Sequence, residues 1–189
     1  MMKKYEEMVF KALYERRSTR SFIEDRPVEK EKIIKLLQAA MAAPSACNIQ
    51  PWEFIVVREK ETIQRIKDSI EKYGNYNAPL MIVVCGYTEF IPWEGHHWIM
   101  DCSAAIENML LAAVPLGLGS VWIGGSDAGA IRNILDIPED VNPMGIVYFG
   151  YPARQQEPRT QYRQQAIHWD KYDKEREHRP VPGNIFGQK

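Results

Sequence analysis

An α+β fold is predicted for this 189-residue chain by three observations. Helical and strand-like periods interleave irregularly, in the order helix, helix, strand, helix, strand, long helix, strand, helix, strand. That order lacks the regular βαβ alternation of a doubly wound sheet. The stretch "PLMIVVCGY" (79 to 87) is apolar without interruption, as a strand covered on both faces reads. Hydrophobic residues make up 45% of the chain and charged residues 26%, an ordinary globular balance.

Each element has its own signal. Tyr5, Met8, Val9, Ala12 and Leu13 recur at helical spacing and predict an amphipathic first helix ending just before Arg16. "PVEKEKIIKLLQAAMAA" opens a second helix with Pro27 and Glu29; Ile33, Leu36, Leu37, Ala40 and Met41 form its stripe, and Pro44 stops it. "WEFIVV" (52 to 57) is rich in aromatic and β-branched residues, hence a strand. "KETIQRIKDSIEK" places Ile63, Ile66 and Ile70 on one helical face. From about Trp98 to Val114 the chain is apolar nearly all round, as a buried central helix would be. "SVWIGG" (120 to 125) reads as a short strand ending in glycines. "SDAGAIRNIL" is a helix capped by Ser126 or Asp127, and "MGIVYFGYP" (144 to 152) is a further apolar strand. Residues 1–152 thus form a core. Residues 153–189 form an extension without an apolar period of its own, whose Ile167, Trp169, Tyr172, Ile185 and Phe186 favour packing on something else.

Composition narrows the function. The formal net charge is −1, from 24 Lys and Arg against 25 Asp and Glu, which argues against broad electrostatic binding to nucleic acid. Three cysteines without a C-x-x-C pair (Cys47, Cys85, Cys102) read as reduced thiols. "MMKKYEEMVF" lacks the apolar stretch of a secretory leader, and no segment is long and apolar enough to span a bilayer. A cytoplasmic location is expected.

Four segments carry polar chemistry. "RRSTRSF" (16 to 22) concentrates guanidinium and hydroxyl donors suited to a phosphate; the alternative is a surface loop whose arginines pair with Glu15, Glu24 and Asp25. "APSACNIQPW" (43 to 52) holds Ser45, Asn48 and Gln50 between two prolines, which suits a flat polar heterocycle, or else a helix end followed by a turn. "GLGSVWIGG" fits neither a P-loop nor a dinucleotide fingerprint, but Gly124 and Gly125 let a planar ligand approach main-chain N–H groups. "EPRTQYR" offers Arg159 and Arg163 to an anion. Other chemistries lack support. His96 and His97 are adjacent and point to different faces of a helix, so no metal site is expected, and no G-x-S-x-G elbow is present.

The chain resembles the nitroreductase family of flavin enzymes. The likeness rests on "RRSTRSF" after the first helix and "AAPSACNIQPWEFIVV" after the second. It continues through "GLGSVWIGG" after the long helix, then "VYFGYPA" with a "PRT…AIHWDKY" tail. The resemblance implies a mixed, mostly antiparallel sheet flanked by helices, in an intertwined homodimer that exchanges C-terminal tails and holds FMN at each of two interface sites. The matching positions put Arg16, Arg17 and Ser18 at the FMN phosphate and Arg20 toward the ribityl chain and the pyrimidine edge. Pro44, Ser45, Ala46 and Asn48 meet the ring from the other subunit, and Ile123, Gly124 and Gly125 pass behind it. Arg159 matches a basic phosphate contact, whereas Gln161 stands where a second basic residue is common. Asn75 and Asn77 are both candidates for a ring contact. The implied activity is hydride transfer from NADH or NADPH to the flavin and onward to a nitroaromatic or quinone, with no catalytic side chain. Reductive dehalogenation or flavin modification, with 88–98 as the candidate lid, is the alternative within the family, and a non-catalytic flavin-binding or redox-sensing module the alternative outside it.

Overall fold

A computed structural model describes residues 2–70, 74–87, 97–124 and 127–175. The elements follow the expected order: α1 (Met2–Glu15), α2 (Lys30–Met41), β1 (Trp52–Val57), α3 (Lys60–Ser69), β2 (Leu80–Tyr87), α4 (His97–Ala113), β3 (Gly119–Ile123), α5 (Ala128–Leu135) and β4 (Val141–Gly150). The strands form one sheet in the order β1-β2-β4-β3, with every neighbouring pair antiparallel. An α+β fold is what the sequence predicts.

Strand β2 explains why the sheet has helices on both faces. Its side chains alternate, and both sets are apolar. Leu80, Ile82 and Val84 join α2 and α4 through Leu36, Ile106 and Met109. Met81, Val83 and Cys85 join α3 and α5 through Ile63, Ile66 and Ile131. Each fully buried Ile or Leu removes apolar surface worth about 1.5–3 kcal/mol. The cap of α5 is Asp127, whose carboxylate accepts from the N–H groups of Gly129 and Ala130 at 2.9 and 3.1 Å.

Five details depart from the sequence reading. Strand β4 starts at Val141, three residues early, and carries Pro143 opposite Cys85, where the register shifts between Val84 and Cys85. A bulge is where a strand tolerates a residue without N–H. Helix α3 ends at Ser69 because Ile70 is extended; residues 71–73 of the expected helix lie outside the described residues. Helix α4 is not covered all round, since Ile99 and Met100 are exposed, and Met41 leaves the buried stripe of α2 in the same way. The apolar face of α1 is also open: Met8, Val9, Phe10 and Leu13 are exposed.

The chain divides into two compact units, 1–158 and 159–189. In the second, a 3-10 turn spans Gln164–Ala166, and the His168 and Tyr172 rings stack at 4.2 Å. Trp169 and Tyr172, expected to pack, are 80% and 63% exposed, and Ile185 and Phe186 lie outside the described residues.

Candidate functional site

The arginine loop is held by its backbone. Helix α1 closes with Arg16 N–H donating to the Ala12 carbonyl at 2.9 Å. Three residues later Thr19 N–H donates to the Ser120 carbonyl at 2.8 Å, and Ser18 bridges Ser120 in parallel. Strand β3 lies at the edge of the sheet, so its open edge accepts the loop. This bridge is the parallel element in an otherwise antiparallel arrangement among the described residues. Thr19 is buried against Gly119, where a Cβ would come within 2.6 Å of Thr19 Oγ1 and 2.8 Å of its Cβ. The first glycines of "GLGSVWIGG" therefore serve packing: Gly119 the close approach, and Gly117 a turn at φ +70. Downstream, Ala153 N–H donates to the Ser21 carbonyl and Ile23 N–H to the Tyr151 carbonyl, so the chain after β4 flanks the same loop.

With the backbone fixed, the guanidinium groups are largely free for a ligand. Arg16 Nε lies 3.7 Å from Glu107 Oε1, an ion pair too long for a hydrogen bond. Arg17 Nη1 donates to the Glu157 carbonyl. Arg20 Nε donates to the Tyr76 hydroxyl at 3.2 Å, and its Nη1 to the Ser18 carbonyl at 3.4 Å. The expected alternative partners are engaged elsewhere: Glu15 with Lys11, Glu24 with Asn77 and Asp25 with Lys60. The Nε atoms of Arg16 and Arg17 are buried without a hydrogen-bond partner among the described residues. An unmade bond at a buried donor costs about 1–3 kcal/mol. Both arginines line a cavity of about 400 Å³ together with Arg154, Thr19 and Gly119, and an anion entering it would meet three guanidinium groups.

The loop after α2 is a strained turn. Ala46–Asn48 form a 3-10 turn in which Cys47 (φ 51) and Asn48 (φ 57) are left-handed, as is Gln50 (φ 55). Such positions cost about 1–3 kcal/mol each and persist only where neighbours hold them. Ser45 Oγ accepts from Gln50 N–H at 3.0 Å, Gln50 Nε2 donates to Asn48 Oδ1 at 3.1 Å, and Ala46 N–H donates to Asp101 Oδ1 at 3.0 Å. Asp101, on α4, is only 6% exposed, and its Oδ2 is buried without a hydrogen-bond partner among the described residues. Pro44 and Asn48 are exposed, Ser45 and Ala46 half-buried, and none of the four lines the arginine cavity.

A third group forms where β3 ends. Gly74, at φ +107, packs on Ile123, whose Cγ2 would lie 3.0 Å from a Cβ there. A Cβ at Gly124 would meet only Trp122 Nε1, at 3.9 Å, and Gly125 lies outside the described residues. Asn77 uses its amide on Lys67 and Glu24, while Asn75 makes one 3.4 Å bond to the Lys67 carbonyl. Arg159 opens the second unit and is exposed, as are Gln161 and Arg163.

The thiols carry no reactivity in the core. Burial pushes both Cys85 and Cys102 up to about 12, whereas Cys47 is exposed in the strained loop. Among the described residues no cluster of metal-ligating side chains occurs, and no helix is long and apolar enough to cross a membrane. Sequence reasoning missed Asp101, Arg154, Tyr76 and Thr19. Asp101 had a signal, as the one acid in the apolar run "WIMDCSAAI", and Thr19 was read only as one of the loop's hydroxyls; Arg154 and Tyr76 had none, because only the fold brings them to the loop.

The fold and the cavity define an α+β protein with a pocket of about 400 Å³ at a sheet edge, lined by three arginines and Glu15. The pattern of the Nitroreductase family matches residues 13–73 and 70–151. A protein of Archaeoglobus fulgidus, provisionally named an NADH dehydrogenase/NAD(P)H nitroreductase, is 40% identical over 175 residues, covering 88% of this chain and 99% of its own. A solved structure from Bacteroides thetaiotaomicron with the same provisional name superposes with a TM-score of 0.79 at 34% identity, covering 87% of this chain and 98% of its own. The FMN-dependent nitroreductase of Clostridium difficile R20291 superposes with a TM-score of 0.77 at 32% identity, covering 85% and 98%. The chain belongs to the nitroreductase family.

Proposed function

We propose that this protein is an FMN-dependent oxidoreductase, reduced by NADH or NADPH, that passes electrons to a nitroaromatic or quinone-like acceptor and works as a homodimer. The observation that carries the reading is that the buried Nε atoms of Arg16 and Arg17 have no hydrogen-bond partner among the described residues, beside a cavity that Arg154 also lines. FMN ends in a phosphate close to a dianion, and charge-assisted bonds from guanidinium groups are the strong kind. Bound there, FMN supplies the hydride and electron transfer.

The protein's part is to bind, orient and polarise. Arg16, Arg17 and Ser18 hold the phosphate, and Arg20 stands at the pyrimidine edge, where its charge makes the flavin easier to reduce. Ile123, Gly124 and Gly125 offer main-chain N–H groups behind the ring. Pro44, Ser45, Ala46 and Asn48 meet it from the second subunit. Asn75 is the better ring contact of the two asparagines, because the Asn77 amide is already engaged at both ends. Arg159 is assigned to the phosphate on the family resemblance alone. The dimer is supported by the open apolar face of α1 and by exposed Ile99 and Met100 on α4, since a monomer seldom leaves such surface to water.

Heating the purified yellow protein should release FMN; FAD, or no flavin after reconstitution, would overturn the assignment. Steady NAD(P)H oxidation with an added acceptor separates an enzyme from a flavin-binding module. Stopped-flow reoxidation across acceptor classes then ranks nitroaromatics and quinones, and halide release from a halogenated aromatic would move the assignment to reductive dehalogenation. Sedimentation followed at a flavin wavelength tests the dimer: flavin content should track the dimer fraction on dilution, because a ligand held by both chains stabilises their association.

A further inference from the structure

Arg20 is an exposed side chain on a loop, and a free arginine there would lose rotamer entropy on being fixed. Two acceptors already fix it: the Tyr76 hydroxyl takes Nε–H at 3.2 Å and the Ser18 carbonyl takes Nη1 at 3.4 Å. No acceptor for Nη2 occurs among the described residues, so that end of the fork is left for a ligand. Tyr76 is itself held, with its ring edge-on to Tyr148 at 5.7 Å and 77°, and Tyr148 is fully buried in the sheet. Two residues earlier, Gly74 packs on Ile123 at the end of β3. The segment 74–76 thus joins the arginine loop to the end of β3 through one hydroxyl and one glycine.

We propose that Tyr76 is a positioning residue for Arg20, holding the guanidinium in one rotamer so that its charge acts on the flavin. The proposal rests on the reading that Arg20 lies at the flavin edge, and its test separates the two. Tyr76→Phe keeps the ring against Tyr148 and removes only the acceptor. Wild type, Tyr76→Phe, Arg20→Ala and the double variant are saturated with FMN, and the flavin midpoint potential is measured for each, with thermal melting as a check on folding. Arg20→Ala should make the potential more negative. Tyr76→Phe should shift it in the same direction by a smaller amount, with FMN affinity falling a few-fold. In the double variant the potential should equal that of Arg20→Ala, because a residue that acts only through Arg20 has nothing left to act on. A Tyr76→Phe potential equal to wild type, or a shift that adds in full on the Arg20→Ala background, would overturn the positioning role. An Arg20→Ala potential equal to wild type would overturn the placement of Arg20, and Tyr76's role with it.

Discussion

The loop at 16–20 is zipped by its backbone to the edge of β3 and leaves guanidinium donors without hydrogen-bond partners among the described residues, whereas the loop at 44–50 holds a left-handed backbone and uses side chains to do so. Thr19 N–H bonds to the Ser120 carbonyl where Ser18 pairs with Ser120, and the arginines keep donors to spare. Ser45, Asn48 and Gln50 are occupied with one another, and Asp101 anchors Ala46 from α4. The first loop therefore presents charge and the second presents shape. Substituting a side chain should change binding without stability in the first, and both together in the second.

The largest expected effect breaks the first loop's chemistry. Arg16→Ala with Arg17→Ala removes two charge-assisted contacts of about 1.5–3 kcal/mol each, so the FMN dissociation constant should rise at least about 100-fold. Fluorescence titration measures the loss, and the apoprotein's melting temperature should stay near wild type. A parallel fall in melting temperature would erase the contrast between the loops.

Gly119→Ala attacks the same loop through its backbone. The new methyl would sit within 2.8 Å of three Thr19 atoms, an overpacking expected to cost about 1–3 kcal/mol and to displace the loop from β3. Urea unfolding and FMN titration should report coupled losses. Gly117→Ala is the control, since a Cβ there meets nothing within 4 Å and only its φ of +70 is strained.

In the second loop, Asp101→Ala leaves the Ala46 N–H without its acceptor and should cost about 1–2 kcal/mol. Asp101→Asn keeps an acceptor at that position and should cost less. If denaturant midpoints for the two variants coincide, Asp101 does not anchor the loop.

The smallest effect tests the chain that flanks the arginine loop. The Tyr151 hydroxyl, bonded to Glu29 at 2.6–2.7 Å, lowers the Glu29 carboxyl from its ordinary value, with the backbone, Lys32 and Arg26 assisting. A depressed carboxyl stabilises the fold above its unfolded value, near 4.3, and that stability disappears as pH falls through the lower folded value. Tyr151→Phe should therefore be less stable than wild type at pH 7, and the gap should narrow below about pH 4. Urea midpoints at the two pH values measure it.

Much of the first loop was legible because its chemistry is local. Three arginines and three hydroxyls in seven residues are a composition suited to an anion, and edge-strand pairing leaves Arg16 and Arg17 lining a cavity. The second loop was legible only as rigid: Pro44 and Pro51 marked it, but Cys47 and Gln50 at positive φ break residue preference and follow from contacts the sequence does not display. Tyr76 and Arg154 reach the site across 56 and 137 residues of chain from Arg20 and Arg17, a separation at which no local pattern exists.

By itself the sequence determined the kind and order of the elements, since helical and strand periods are set by neighbours within a turn or a pleat. It determined too that β2 is covered on both faces, because both of its alternating sets are apolar. Only the tertiary structure decided which apolar faces find cover inside the chain. The stripes of α2 and α3 do, whereas that of α1 stays open, although all three read alike as amphipathic helices. Periodicity says which face is apolar; burial depends on whether another element lies opposite. The same holds for the arginines, whose partners Glu107, Glu157 and Tyr76 come from three distant segments rather than from the acids beside them.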